Sequence, residues 1–148
     1  MGTRSRIGIL RKDGSIESIY CNWDGYLEHV GNLLNNNYSN PKKIEELIKL
    51  GDILSLKEKI NPDNNNKDDV TVAYHRDLKE NWKYTKPLIH NNIDDFCKSL
   101  NNPIIEYIYL YDENKEKWLW DNVMYKIDET ELKDLDTSLK EINMDIKI

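Results

Sequence analysis

RIGILRKDGSIESIYC, residues 6–21, decides the fold. Two apolar runs, Arg6 to Lys12 and Ser15 to Cys21, flank the pair Asp13-Gly14. Asp-Gly is a preferred pair for a two-residue type I′ turn, because both central residues need positive φ and glycine takes it freely. With Asp13 and Gly14 as the turn, Lys12 pairs with Ser15, Ile9 with Ser18 and Ile7 with Tyr20. One face then carries Ile7, Ile9, Ile16 and Tyr20. The other carries Leu10, Ile19 and Cys21 among Arg6 and Glu17. Both faces are partly apolar, which predicts a hairpin central to the fold.

Working outward, Trp23-Asp24-Gly25 turns the chain into a helix with Asp24 as N-cap and Leu27, Val30, Leu33 and Leu34 at helical spacing. Asn40-Pro41 opens a second helix, with Asn40 as N-cap and Pro41 at the first helical position, where its missing N–H costs nothing. Ile44, Leu47 and Ile48 form its stripe and Gly51 stops it. Asp52 to Leu56 reads as a further helical turn running to Ile60. Asn61 to Asp68 is a loop, and Val70 to His75 alternates as a strand. Residues 77–91 read as a long loop. Asn92 caps a short helix holding Ile93, Phe96, Cys97 and Leu100. Pro103 to Asp112 (PIIEYIYLYD) is a strand, and Lys117 to Met124 returns as its hairpin partner. An acidic C-terminal helix spans 130–144, with Thr130 as N-cap and Leu132, Leu135, Leu139 and Ile142 inward. The order ββααβαββα predicts one α+β domain over residues 1–148, an antiparallel sheet of about five strands packed with three to five helices.

The 148 residues include 39% hydrophobic and 32% charged side chains, enough for a buried core in a soluble chain. No apolar run approaches the ~20 residues of a membrane helix, and no signal segment opens the sequence, so the expected location is the cytoplasm. Cys21 and Cys97 lie too far apart for metal-type spacing and read as small buried apolar residues. Residues 1–105 balance 15 basic against 15 acidic side chains, whereas residues 106–148 carry 6 against 12. The formal charge of −6 therefore sits in the last part of the chain. That field opposes direct DNA binding there and suits a basic partner or plain solvation.

No glycine-rich phosphate loop, nucleophile elbow or zinc spacing is present, so neither a cofactor nor a metal is expected. His75, Arg76 and Asp77 end a predicted strand and place a base, a cation and a carboxylate in sequence. They read as a charged strand end with Arg76 paired to Asp77, as a binding site, or as catalytic groups. Arg4 and Arg6 lie on one side of an extended chain, where their planar forks suit a phosphate or carboxylate. Trp23 reads as a core corner or as a platform beside Tyr20 on which a base could stack. Tyr107, Tyr109 and Tyr111 alternate on one strand and face Trp118 and Trp120 across the second hairpin. Such an aromatic wall, beside the acidic residues Asp128, Glu129, Glu131, Asp134 and Asp136, is the sequence case for a protein partner or a homo-oligomer.

The pieces Thr3-Arg4-Ser5-Arg6-Ile7-Gly8, Asp13-Gly14-Ser15, Ser18-Ile19-Tyr20-Cys21, Trp23-Asp24-Gly25-Tyr26 and Val30-Gly31 resemble a family of small proteins frequent in phages and other mobile elements. Leu47-Ile48-x-Leu50-Gly51-Asp52 and Val70 to Asp77 look like the same family's later blocks, so the resemblance covers about the first half of the chain. The family more often has His where this chain has Asn22, and Pro where it has Leu27. The resemblance implies a phage or prophage accessory protein that acts by binding in the bacterial cytoplasm. One reading is an anti-defence inhibitor of a host immune protein such as a CRISPR effector, using the acidic face and the aromatic wall. A second is a sponge for a small nucleotide signal, using the arginines and stacking aromatics. A third is a small hydrolase built on His75 and Asp77.

Overall fold

The computed structural model describes residues 2–64, 66, 68–101, 104–124 and 130–146. Its centre is the expected hairpin, β1 (Ser5–Leu10) and β2 (Ile16–Cys21). The register is one residue away from the predicted one: Leu10 pairs with Ile16, Ile9 with Glu17 and Ile7 with Ile19. Gly14 N–H donates to Arg11 O at 2.9 Å and Arg11 N–H to Ser15 O at 2.8 Å. The loop is thus three residues, Lys12-Asp13-Gly14: a type I turn with Gly14 at φ +91°. The Asp13 carboxylate fixes it by accepting from Ser15 N and Oγ. A one-residue slip exchanges the faces of β2. Ile7, Ile9, Ile19 and Cys21 therefore enter the larger core, whereas Leu10, Ile16 and Tyr20 join the smaller core on the opposite face.

The sheet contains eight strands among the described residues, more than the five expected, in the order β4-β3-β2-β1-β6-β7-β8, with β5 also on β2. The added strands are β3 (Ile53–Ser55), β5 (Leu88–His90) and β8 (Lys133–Asp134), which join the expected β4 (Val72–Ala73), β6 (Tyr107–Asp112) and β7 (Lys117–Asn122). Two- and three-residue strands are too short to show a period of two, so β3 resembled a helical turn and β5 a loop. The sheet is also mixed and not antiparallel: β1 runs parallel to β6, and β2 to β3.

One face is covered by a π-helical segment (Leu27–Gly31), α1 (Asn32–Asn37), α2 (Pro41–Lys49) and α6 (Leu135–Ile146); the other by α5 (Ile93–Lys98). The second helix starts as its sequence dictates, with Asn40 Oδ1 accepting from Lys42 N and Pro41 at the first position. Asn92 likewise caps α5. Asp24 does not cap the first helix; it takes φ +57°, and Gly25 then packs against Thr3 and Ser5. Trp23, expected in the core on one reading, is 48% exposed. The strand predicted to reach His75 ends at Ala73, because α3 (Tyr74–Leu78) begins there, with the Asp77 carboxylate reaching back to Ala73 N–H at 2.7 Å. The C-terminal helix starts at Leu135 and not after Thr130; residues 133–134 pair with β7 first, and Asp134 Oδ1 then caps the helix at Thr137 N. The predicted strand start at Pro103 lies outside the described residues.

Arg11 ties the hairpin to its surroundings, bonding Glu17 on β2, Glu45 on α2 and Glu113 beyond β6. The guanidinium holds the Glu45 carboxyl below the ordinary range, chiefly by its hydrogen bond. Such a depressed group contributes stability that is complete above its unfolded value of about 4.3 and is lost as pH falls through the lower folded value. Arg11→Met should therefore be less stable than the parent at pH 7. Urea melts across pH should show the gap closing towards pH 2; a constant gap would assign Arg11 a packing role only.

Candidate functional site

The outer edge of β2 is shared by two strands. Antiparallel β5 pairs with Ile16–Ser18, and parallel β3 pairs at Cys21. In the break between them, the Tyr20 N–H donates to Asp52 Oδ1 at 2.9 Å, so a carboxylate replaces the missing strand. Asp52 is fixed by its own backbone: its N–H donates to Thr85 O, and its carbonyl accepts from Tyr74 N.

Arg6 lies on this face, 7% exposed. Its Nε donates to Ser18 Oγ and its Nη2 to Ser18 O, both at 2.9 Å. Burial lowers the Arg6 pKa, while the charge of Asp52 and the phenol of Tyr20 oppose the shift. Burial raises Asp52, against the Tyr20 N–H and the charge of Arg6. The two thus stabilise one another without a direct ion pair among the contacts seen. His90, on β5, turns its ring edge to Phe96 at 5.7 Å, and its buried Nδ1 has no hydrogen-bond partner among the described residues. Burial and the charge of Arg6 lower its pKa, so the ring is neutral at pH 7.

Tyr20 connects this buried group to the surface. Its hydroxyl donates to Asn22 Oδ1 at 2.8 Å; burial raises its pKa, and the nearby Arg4 guanidinium opposes that rise. Arg4 is exposed, and its carbonyl accepts from Glu106 N at 3.0 Å. Gly2, Thr3, Arg4, Asn22 and Glu106 line a cleft of about 460 Å³. The Arg4, Arg6 and Tyr20 grouping singled out in the sequence is therefore one neighbourhood. Trp23 adjoins it through contact with Gly2. Asn22, Asp52, Glu106 and Ser18 were not picked out beforehand. Asn22 and Ser18 share the alternation of Tyr20, a signal within reach; Asp52 and Glu106 arrive by tertiary contact and carried none.

The other expected groups lie elsewhere. His75 is on α3, with Nδ1 2.8 Å from Glu80 O and its ring against Trp82. Arg76 bonds Asp77, Asn61 Oδ1 and Thr71 O, which matches the local-pairing reading. With Asp77 held by Arg76 and Ala73 N, no acid–base pair is assembled there.

The aromatic wall is largely interior, with Tyr107 and Trp120 half-buried at its margin. Tyr109 and Trp118 are 0% and 5% exposed. Their polar ends bond Gly25 O at 2.7 Å and Tyr38 O at 2.8 Å. Tyr107 stacks on Tyr109 and Trp120, and Trp120 Nε1 donates to Ser138 on α6. The acidic residues that could face a partner are likewise engaged: Asp134 with Lys117, and Asp136 with Lys140 and Asn35. Glu131 is exposed, and Asp128 and Glu129 lie outside the described residues.

Both cysteines are free thiols, and burial pushes Cys21 up to about 12, which makes it inert at neutral pH. Among the described residues no group of three or more His, Cys, Asp or Glu could hold a metal, and no helix is long and apolar enough to cross a membrane. No family model matches this chain, and comparisons with curated proteins and with solved structures give no match.

Proposed function

We propose that the protein acts by binding, and that it captures a small anionic ligand of the nucleotide class in the cleft lined by Arg4, Asn22 and Glu106. The observation that carries this reading is the convergence of an exposed guanidinium, a phenol, a carboxamide and a carboxylate beside a buried second guanidinium. Arg4 supplies the fork for a phosphate. Asn22 and Glu106 offer the acceptors that a base's amino groups need. Arg6 and Asp52 set the field beneath, and Asp52 accepts from the Tyr20 N–H. With the resemblance of the N-terminal block to phage proteins, this makes the protein a sponge for a nucleotide signal of host defence. Inhibition of a host immune protein through the aromatic wall is less favoured, because that wall is core; a hydrolase built on His75 and Asp77 lacks a paired base and acid.

Two measurements test the reading. Protein purified from its bacterial host should release nucleotide on heating, seen by mass spectrometry of the supernatant. Arg4→Ala should then weaken rebinding about tenfold, since a charge-assisted hydrogen bond contributes about 1.5 kcal/mol, while leaving the melting temperature unchanged. No released nucleotide, together with no heat on titration with mono- and cyclic nucleotides, would overturn it.

A further inference from the structure

The segment that links β4 to β5 stands apart from the cleft and is built unlike the rest of the surface. From Asp77 to Lys86 every side chain is exposed except Thr85. Five of the nine large exposed hydrophobics in the described residues fall between positions 78 and 89: Leu78, Trp82, Tyr84, Leu88 and Ile89. Scattered exposed hydrophobics are ordinary, but more than half of them falling within twelve residues of sequence points to an interaction surface. The segment is also fixed. Thr85 O accepts from Asp52 N, Glu80 N bonds Tyr74 O, Lys86 N bonds Trp82 O, and Asn81 caps α4 (Trp82–Thr85) through Lys83 N. A preordered surface loses little entropy when a partner arrives.

Its chemistry restricts the partner. Between residues 77 and 89 the charged side chains are Lys79, Lys83 and Lys86 against Glu80 and Asp77, the latter already held by Arg76; Asp94 and Asp95 follow on α5, beyond the His90 end of β5. Around α4 the balance is therefore cationic, on a chain of formal charge −6. Beside it, β5 uses one edge on β2, and no strand of the described residues pairs with its outer edge. An open edge presents main-chain donors and acceptors in a row and accepts an added strand.

We infer that α4 and the outer edge of β5 dock an acidic, extended polypeptide segment of another protein, which adds to the sheet as a strand. Its backbone pairs with Leu88–His90, its alternate side chains meet Leu88 and Ile89 on opposite faces, and its carboxylates face Lys83 and Lys86. A single-stranded polynucleotide fits less well. Trp82 is already packed against His75 at 5.2 Å, the chain is acidic overall, and a sugar-phosphate chain cannot use a strand edge. A second copy of the chain would set lysines opposite lysines, which is unfavourable.

The probe is a fluorescein-labelled peptide of alternating glutamate and valine, followed by anisotropy, with a lysine–valine peptide and an oligothymidylate alongside. The glutamate peptide should bind, and the double variant Lys83→Glu/Lys86→Glu should weaken it at least about tenfold, as should Ile89→Asp. Both variants alter exposed side chains, and unchanged circular dichroism and melting will show that they fold. Tighter binding of the oligothymidylate, equal binding of the lysine peptide, binding of none of the probes, or a dimer in sedimentation that Ile89→Asp dissolves would each overturn the inference. The cleft plays no part in this assay, so its outcome is separate from that of nucleotide capture.

Discussion

Replacing Tyr109 by alanine is expected to cost about 3–5 kcal/mol of stability, the range for deleting a large buried aromatic. Tyr109 sits on the sixth strand, fully buried, between β1 and β7 and stacked on Tyr107. Its hydroxyl also reaches the Gly25 carbonyl, the point at which the chain leaves the hairpin for the helical layer. Tyr109→Phe keeps the ring and loses only that bond, leaving a buried carbonyl unmet, for about 1–2 kcal/mol. Domains of this size hold about 5–15 kcal/mol in all, so the alanine variant should be partly unfolded in mild urea while the phenylalanine variant is not. Equal losses in the two urea curves would mean that the ring contributes nothing beyond its hydroxyl. A loss below about 1 kcal/mol for alanine would place Tyr109 at a surface after all.

Gly51→Ala is the second large effect. Gly51 has φ +77°, and an added Cβ there would strike Thr85 O and come within 2.9 Å of the Trp82 ring. The conformational part costs roughly 1–2 kcal/mol, and displacing backbone adds a similar amount. Gly14 supplies the control: it has φ +91° with nothing within 4 Å of its would-be Cβ, so Gly14→Ala carries the conformational part alone. Gly51→Ala should therefore be the more damaging of the two by at least about 1 kcal/mol. Hydrogen exchange at the Asp52 amide, which bonds Thr85 O, should accelerate in Gly51→Ala and not in Gly14→Ala. Equal melting temperatures would show that α4 moves aside freely, and would remove the fixed platform on which peptide docking depends.

How much was legible follows from the range of each signal. Asn40-Pro41 and Asn92 specify helix starts within three residues of themselves, and both helices begin there. The central hairpin was equally plain from Asp13-Gly14, but its register was not. The same dipeptide serves a two- or a three-residue loop, and the choice rests on whether Arg11 or Lys12 closes the ladder. Arg11 does, and it is the residue that meets Glu45 and Glu113, partners far away in sequence. The strands β3, β5 and β8 were hidden for a related reason. They are short pieces whose pairing comes from the sheet beside them and not from their own pattern. In the candidate site, Arg4 and Arg6 could be grouped by alternation alone; Tyr20 comes opposite Arg6 only in the register of the three-residue loop, and Asp52 fills a hydrogen bond left open by a break between two other strands. The aromatic wall was placed correctly on one face, but which face α6 would cover is a property of tertiary packing, so its burial was invisible.

The parallel pairing of the first and sixth strands has a consequence for how the protein is made. Ser5 lies opposite Tyr107 and Leu10 opposite Asp112, so the inner edge of the opening hairpin stays without its neighbour until the sixth strand leaves the ribosome. At elongation rates of about 5–20 residues per second that interval is on the order of ten seconds. Throughout it, a β-hairpin with two apolar faces and a bare edge is open to pairing with other nascent chains. Expression yield should therefore respond to chaperone supply and translation speed more sharply than the stability of the finished fold would suggest.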